Sequence, residues 1–387
     1  MKQQTQDGLV AKGAKEPILI SGASFAGLAT AWWMHRLGYC VTIVEVAPGL
    51  RKGGTPVDIR ESVIDVVRRM GLLEQITAES LPPRATQFIG TDGRPLIQET
   101  PSEDTGDHEP EWEIERDALL DMLFDRVKDD VEFLFNDSIA HVEETKEAVQ
   151  VTFASGRQCS FVLLFGCDGT HSNVRKMCFG EESLFLLFMR NYFSLTIVDK
   201  LLIPENTAQM FSVPGKTVMV NAYHGKTDIA FSFFCAEEVS YDRRDRERQK
   251  EMILEHLAGA GWRTDELLEQ MSASDNFYFD KLCQVRVPAW TRGRVALVGD
   301  AGYCPSPAAG MGGSMALLGA AVLADAFQEH PDDFAKAFQE YDKSLRPIVE
   351  GIQTNAIEFG LKMFLPASEE EIDQRNAQLK LWCSRSP

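Results

Sequence analysis

No apolar run in this sequence is long enough to cross a membrane. The longest, Phe161–Cys167 and Leu184–Met189, fall far short of the ~20 residues a bilayer needs. Basic residues are scarce as well: 39 Lys+Arg face 58 Asp+Glu, a formal charge of −19. Nucleic acid needs a basic face, and so does an anionic membrane surface, so neither is an expected partner. Residues 1–16 lack an apolar core, which excludes a secretory signal and leaves a flexible polar tail as the expectation. None of the eight cysteines has Cys-x-x-Cys spacing, and the seven histidines form no His-x-x-x-His or Cys/His cluster. A disulfide scaffold and a metal centre are therefore not expected, and reduced thiols in a cytoplasmic protein are the simplest account. There is no Gly-x-Ser-x-Gly elbow, which removes the nucleophile turn of the α/β-hydrolases, and no internal repeat.

What remains is ordinary globular composition, 44% apolar and 25% charged, in a chain long enough for two domains. Residues 17–22 read as a short buried strand ending on glycine, Ser24–Leu37 as a helix, and Cys40–Val46 as a second strand. That βαβ opening predicts a parallel sheet. From about residue 184 to 235 the pattern changes to alternation with frequent turns, which predicts an antiparallel sheet. Asp333–Phe364 is helix-compatible, with a kink or break expected at Pro347. The fold class is thus α/β: a Rossmann-like three-layer nucleotide domain with an inserted antiparallel-sheet domain and C-terminal helices.

Three segments carry chemistry. Gly22-Ala23-Ser24-Phe25-Ala26-Gly27 lies between strand and helix, where glycines make the tight turn and let backbone reach a pyrophosphate. Ser24 stands at the second glycine position. Glu45, followed by Val46, ends the next strand at the spacing of a ribose-binding acid. The other two segments are Gly166–Arg175, containing Asp168, and Gly299–Ser314, containing Asp300, Pro307, Gly310, Met311, Gly312 and Gly313. Each follows a buried strand, so its aspartate meets the crevice at the sheet's carboxyl edge. The helix that begins near Gly310–Gly313 aims free N–H groups at an anion. A ligand-free glycine turn, or an aspartate that only caps a helix, is the competing account of any one segment taken alone.

Together the three segments resemble the fingerprints of group A FAD-dependent monooxygenases, the para-hydroxybenzoate hydroxylase type. Tyr341–Pro347 resembles that family's Tyr-x-x-x-Arg-Arg-Pro segment, with Leu345 at the first arginine, and Arg116 falls at its flavin-side arginine. Within the family, Lys52-Gly53-Gly54-Thr55 and the extra C-terminal helix are most similar to the tetracycline-inactivating monooxygenases. The sequence departs from the family at Tyr303 for histidine, Ser306 for proline and Ser314 for asparagine. A rival of related fold, the flavin-dependent halogenase, carries a Trp-x-Trp-x-Ile-Pro segment that is missing here.

The resemblance implies tightly but non-covalently bound FAD, held by the residues named above together with Arg51 and Gly54. With one nucleotide fingerprint, NADPH or NADH docks transiently as reductant, and O2 is the co-substrate. A flavin C4a-hydroperoxide then hydroxylates an aromatic or polycyclic substrate, and no catalytic side chain is required. A tetracycline is the first substrate expectation. Hydroxylation of simple phenols, a step in antibiotic biosynthesis, or flavin binding without turnover are the alternatives. The substrate candidates are Gln209, Phe211, Met219, Tyr223 and Phe231, with Phe233 and His224 beside them; most of these aromatics read more readily as core and His224 as an exposed turn residue. The expected division is residues 17–82, 106–180 and 286–332 for FAD, 83–105 and 181–285 for substrate, and 333–387 for bridging helices. A monomer is expected.

Overall fold

The computed structural model of the chain describes residues 16–99 and 111–383. The expected tail lies outside them except for Glu16, as do residues 100–110 and 384–387 of the expected division.

The chain begins as a βαβ unit because its apolar runs are short, β-branched and punctuated by glycine. Strand Pro17–Ser21 pairs in parallel with Cys40–Glu45 on one side and Leu163–Gly166 on the other. The full sheet runs, from one edge to the other, Thr291–Arg292, Val295–Leu297, Leu163–Gly166, Pro17–Ser21, Cys40–Glu45, Glu132–Phe135. Ile18, Leu19, Leu164 and Phe165 are fully buried, as expected of strands covered on both faces. Helices Phe25–Arg36 and Gly312–Glu329 pack on this sheet, and the antiparallel strands 139–144, 149–153 and 158–161 share its core.

The second sheet has seven strands in the order Phe277–Val285, Leu186–Val198, Lys226–Phe234, Lys216–Tyr223, Thr207–Val213, Ala85–Ile89, Pro95–Glu99. Helices Arg246–Leu257 and Thr264–Ala273 cover one face through Met252, Ile253, Leu267 and Met271. On the other face Phe88, Ile97 and Met210 meet Leu379 of helix Glu369–Cys383.

The C-terminal helices differ from expectation at Pro347. Helix Phe334–Asn355 runs through it without ending. The preceding turn is pinned there: Arg346 donates to Asp342, 2.5 and 2.7 Å, and stacks over Trp290 at 4.2 Å. The departure from α geometry comes later, as a π turn at Ala356–Gly360. Gly360 lies so close to the turn Pro307–Ala309 that a Cβ there would sit 2.3 Å from Ala308 O.

Candidate active site

The first segment folds as a nucleotide turn for reasons visible in its backbone. Gly22 has φ +104°, and a Cβ on it would lie 2.5 Å from Cys167 O; on Gly27 it would lie 1.9 Å from Gly22 O. Strand, turn and helix therefore approach at backbone distance. Ser24 has φ −107°, an ordinary value, so the second glycine position does not need glycine's conformational freedom. Glu45 is buried and holds the turn: Ala23 N–H donates to Oε2 at 2.9 Å and Ala47 N–H to Oε1 at 3.0 Å. Val46, just beyond, is 65% exposed.

Arg116 closes the front of this turn. It donates to Gly53 O (2.9 Å), Arg51 O (3.0 Å) and Ser24 Oγ (3.3 Å), and stacks over Phe25 at 5.2 Å. Gly54 makes room for it, since a Cβ would lie 2.4 Å from Arg116 Cδ. Burial lowers the Arg116 pKa from its usual value. Arg51 is exposed, its Nε 3.7 Å from Glu45 Oε1. Ala26 packs against Gly299, so the first and third segments touch directly.

The two aspartates behave differently. Both Asp168 oxygens are occupied within their own loop, by Ser172 Oγ and by Val174 N–H at 3.1 Å. Arg175, fully buried, ties that loop to the third segment through Thr170 O (2.6 Å) and Ala301 O (2.8 Å). Asp300 starts the short helix Asp300–Tyr303 and lines a cavity of about 120 Å³ with Thr170, Phe193, Tyr278, Asp280, Ser306, Pro307 and Gly312. Burial pushes its carboxyl up to about 6, with a hydrogen bond from Cys304 opposing. Beyond the cavity, Gly310 takes φ +64° and Met311 precedes the 18-residue helix Gly312–Glu329. A Cβ at Gly313 would lie 2.8 Å from Val57 Cγ1, so strand Val57–Ile59 is set against the start of that helix. Exposed helix N–H groups, a buried acid and a glycine cradle fit a flavin dinucleotide.

Strand alternation sorts the substrate candidates. One transverse row on the cavity-side face runs Tyr278, Leu195, Ala230, Met219, Met210, Phe88. Met219 is in it, and Tyr223 shares the face, donating to Asp228 Oδ2 at 2.9 Å. Phe211 and Phe231 are on the opposite face, in the cluster under helices 246–257 and 264–273. Gln209 has the parity of Phe211 and donates to Gln87 at 2.9 Å. A molecule over the cavity-side face reaches none of these three. Phe233 stacks on Tyr192 in the helix-side core, and His224 is a turn residue 2.6 Å from Glu115 Oε1.

Several residues escaped the sequence reading. Asp228 is buried with Oδ1 unpartnered, and burial pushes its carboxyl up to about 7. Arg60 Nη2 lies 3.2 Å from Met311 Sδ. Arg375 is buried, donating to Ser212 Oγ at 3.0 Å and lying over Phe88. His171 bridges Glu182 and Asp280, 3.0 Å to each, and so clasps the Asp168 loop to strand Phe277–Val285. The alternating stretch 277–285 was the available signal for Tyr278 and Asp280; nothing local marks their pairing with His171.

The clasp has a pH window. Burial opposes charge on His171, but its hydrogen bonds with Asp280 and Glu182 prevail and raise it above the ordinary imidazole value. Against burial, the same contacts lower Asp280 and hold Glu182 down to about 2. The carboxylate contribution is complete above the unfolded value near 4 and is lost as pH falls through the folded values. The histidine contribution is complete below about 6.5 and is lost as pH rises through its raised value. Thermal unfolding should therefore show greatest clasp stabilisation at about pH 5–6, and His171→Gln should flatten the profile on both sides. An unchanged profile refutes the clasp.

Comparison with known proteins identifies the family. The FAD binding domain family matches residues 15–355. A flavin-dependent monooxygenase of Legionella longbeachae is 32% identical over 337 residues, covering 87% of this chain and 86% of its own. The chain belongs to this family of FAD-dependent monooxygenases. An uncharacterized protein of Mycobacterium tuberculosis is 38% identical over 338 residues, 86% of this chain and 90% of its own. Among solved structures, the tetracycline destructase Tet(51) superposes with TM-score 0.83 at 31% identity, over 95% of this chain and 96% of that one.

The departures from the family pattern have local causes. Ser306 takes φ +83°, which proline cannot adopt. Tyr303 points into the core, its hydroxyl 3.0 Å from that of Tyr341, and Gly319 leaves the space it fills. Ser314 Oγ donates to Asp58 O at 2.7 Å, joining the flavin-side helix to strand Val57–Ile59. Leu345 is fully buried in the main core.

Proposed function

We propose that this monooxygenase uses NADPH or NADH and O2 to hydroxylate a polycyclic aromatic substrate, with tetracyclines the first class to test. The observation that carries the reading is the row Tyr278, Leu195, Ala230 and Met219, which leads from the Asp300 cavity along one face of the second sheet to Met210 and Phe88, where Leu379 of helix Glu369–Cys383 closes it. A flat fused-ring molecule matches a flat apolar strip flanked by a few polar groups. The likeness to Tet(51) supports the tetracycline assignment.

Bound FAD supplies reduction and oxygen activation. The chain's residues bind and orient it: Glu45, Arg116 and the turn at Gly22–Gly27 for the dinucleotide, Asp300 for the ribityl hydroxyls, and the start of helix Gly312–Glu329 for the pyrimidine edge. The sheet face and helix Glu369–Cys383 exclude water from the substrate. We read the protein as cytoplasmic, in keeping with eight unpaired cysteines.

The test is the mass of a tetracycline after incubation with FAD-loaded enzyme, NADPH and air. The expected gain is one oxygen atom. Failure of tetracyclines to stimulate NADPH oxidation, with stimulation by p-hydroxybenzoate instead, transfers the assignment to simple phenols. No stimulation by any aromatic compound overturns the reading.

A further inference from the structure

We propose that Tyr278, Asp280 and His171 form a line that delivers a proton from solvent to the cavity beside Asp300. The inference rests on the monooxygenase reading above, because that reaction is not proton-neutral. One NAD(P)H, one O2, one substrate and one H⁺ give NAD(P)⁺, water and hydroxylated substrate. A proton must therefore reach the reacting oxygen in each turnover.

The line is continuous. Tyr278 and Asp280 both line the cavity. The Tyr278 hydroxyl donates to Asp280 Oδ2 at 3.2 Å, and the same oxygen lies 3.0 Å from His171 Nε2. The other ring nitrogen lies 3.0 Å from Glu182 Oε2, whose second oxygen accepts from Arg243 at 3.1 Å. Arg243 is half exposed, so the line ends at the surface. The other charged and titratable groups facing His171 and its partners are Arg175, 3.8 Å from Glu182, Lys281 on the same strand as Asp280, the Tyr241 hydroxyl, the Cys283 thiol, and, beside Tyr278, Asp300 and Cys304. Two carboxylates thus bracket the ring, and the net field favours a stored proton on it.

The transfer balances. The Tyr278 O–H bond breaks toward an acceptor in the cavity. As the His171 Nε2–H bond breaks, its electron pair staying on nitrogen, its proton passes by way of Asp280 Oδ2 to the phenolic oxygen, and Asp280 is left the carboxylate it was at the start. Solvent restores the imidazolium, whose side chain is 22% exposed. No oxidant or reductant is consumed along the line. Asp280 and His171 act through Tyr278 and are positioning residues.

The test uses the FAD-loaded full chain and two independent readouts. Histidine NMR titration without substrate should place His171 above an ordinary imidazole, and Asp280→Asn should lower its midpoint. In Tyr278→Phe and His171→Ala, product formed per NADPH at about pH 8, relative to the same variant's value at about pH 6, should fall about tenfold below the wild-type ratio, because free protons are scarce at the higher pH. Added imidazoles should restore His171→Ala in order of their basicity, which a merely structural clasp does not predict. A His171 midpoint unmoved by Asp280→Asn overturns the line. So do variants whose ratio between the two pH values is that of the wild type. Should the wild type make no product from any aromatic compound, the substrate reading falls, and the titration alone decides the line.

Discussion

Gly27→Ala should abolish FAD loading and destabilise the nucleotide domain by about 3 kcal/mol or more. The added Cβ would stand 1.9 Å from Gly22 O and 3.0 Å from its carbonyl carbon. Both obstacles are backbone, so no side chain can rotate away. Helix Phe25–Arg36 would have to retreat from strand Pro17–Ser21, but ten of its twelve residues are buried, and its far side is packed on helix Gly312–Glu329. Retreat opens the turn that brings backbone to the pyrophosphate and moves Ala26 out of register with Gly299. The control is Gly351→Ala, in mid-helix with open space around it, which should stabilise by roughly 1 kcal/mol. Chemical denaturation and flavin absorbance of the purified variants measure both effects. A Gly27→Ala protein that is yellow and as stable as wild type contradicts the assignment of this turn.

The nucleotide turn was legible in the sequence because its glycines answer a local demand, a backbone-to-backbone approach that any side chain prevents. The buried strands were legible for the same kind of reason, as continuous apolar runs such as Leu163–Gly166. The substrate face was not. Alternation divides strand Thr207–Val213 into two faces, but it does not say which meets the cavity, so Phe211 and Met210 look alike until helices 246–257 and 264–273 claim Phe211. His171 and Asp280 are 109 residues apart, one in the loop after strand Leu163–Gly166 of the first sheet and the other on a strand of the second, so their contact is a product of tertiary assembly alone. Ser306 shows the reverse relation. Its departure from the family's proline reads as a loss until its φ of +83° shows that proline has no place there. Pro347 also carried a strong local preference, and the packed contacts of Arg346 on Asp342 and Trp290 override it.

Asp300→Asn should weaken FAD binding while making the apoprotein more stable. The two effects have one cause. Burial raises the Asp300 carboxyl to about 6, so at neutral pH the folded apoprotein holds a charge that the unfolded chain, with its value near 4, solvates better. A raised carboxyl value favours folding below the unfolded pKa, and that advantage is lost as pH rises through about 6. Neutral asparagine removes the loss, so the stability difference between variant and wild-type apoprotein should grow from about pH 4 to about pH 6 and level off above that. FAD responds oppositely. In the proposed role ribityl hydroxyls would donate to the carboxylate, and charge-assisted bonds of this kind contribute about 1.5–3 kcal/mol each, so the variant should lose roughly tenfold to a hundredfold in affinity. In the wild type, acidification through about 6 should weaken FAD binding, and in the variant that pH dependence should vanish. An aspartate that merely capped the short helix Asp300–Tyr303 predicts the other sign for stability, since removing a helix-start anion destabilises. Calorimetry of the apoproteins and fluorescence titration with FAD across this pH range separate the two accounts. A less stable apo variant with unchanged FAD affinity assigns Asp300 to the cap. A more stable variant with weaker affinity is the signature of a charge kept at a folding cost because the cofactor uses it.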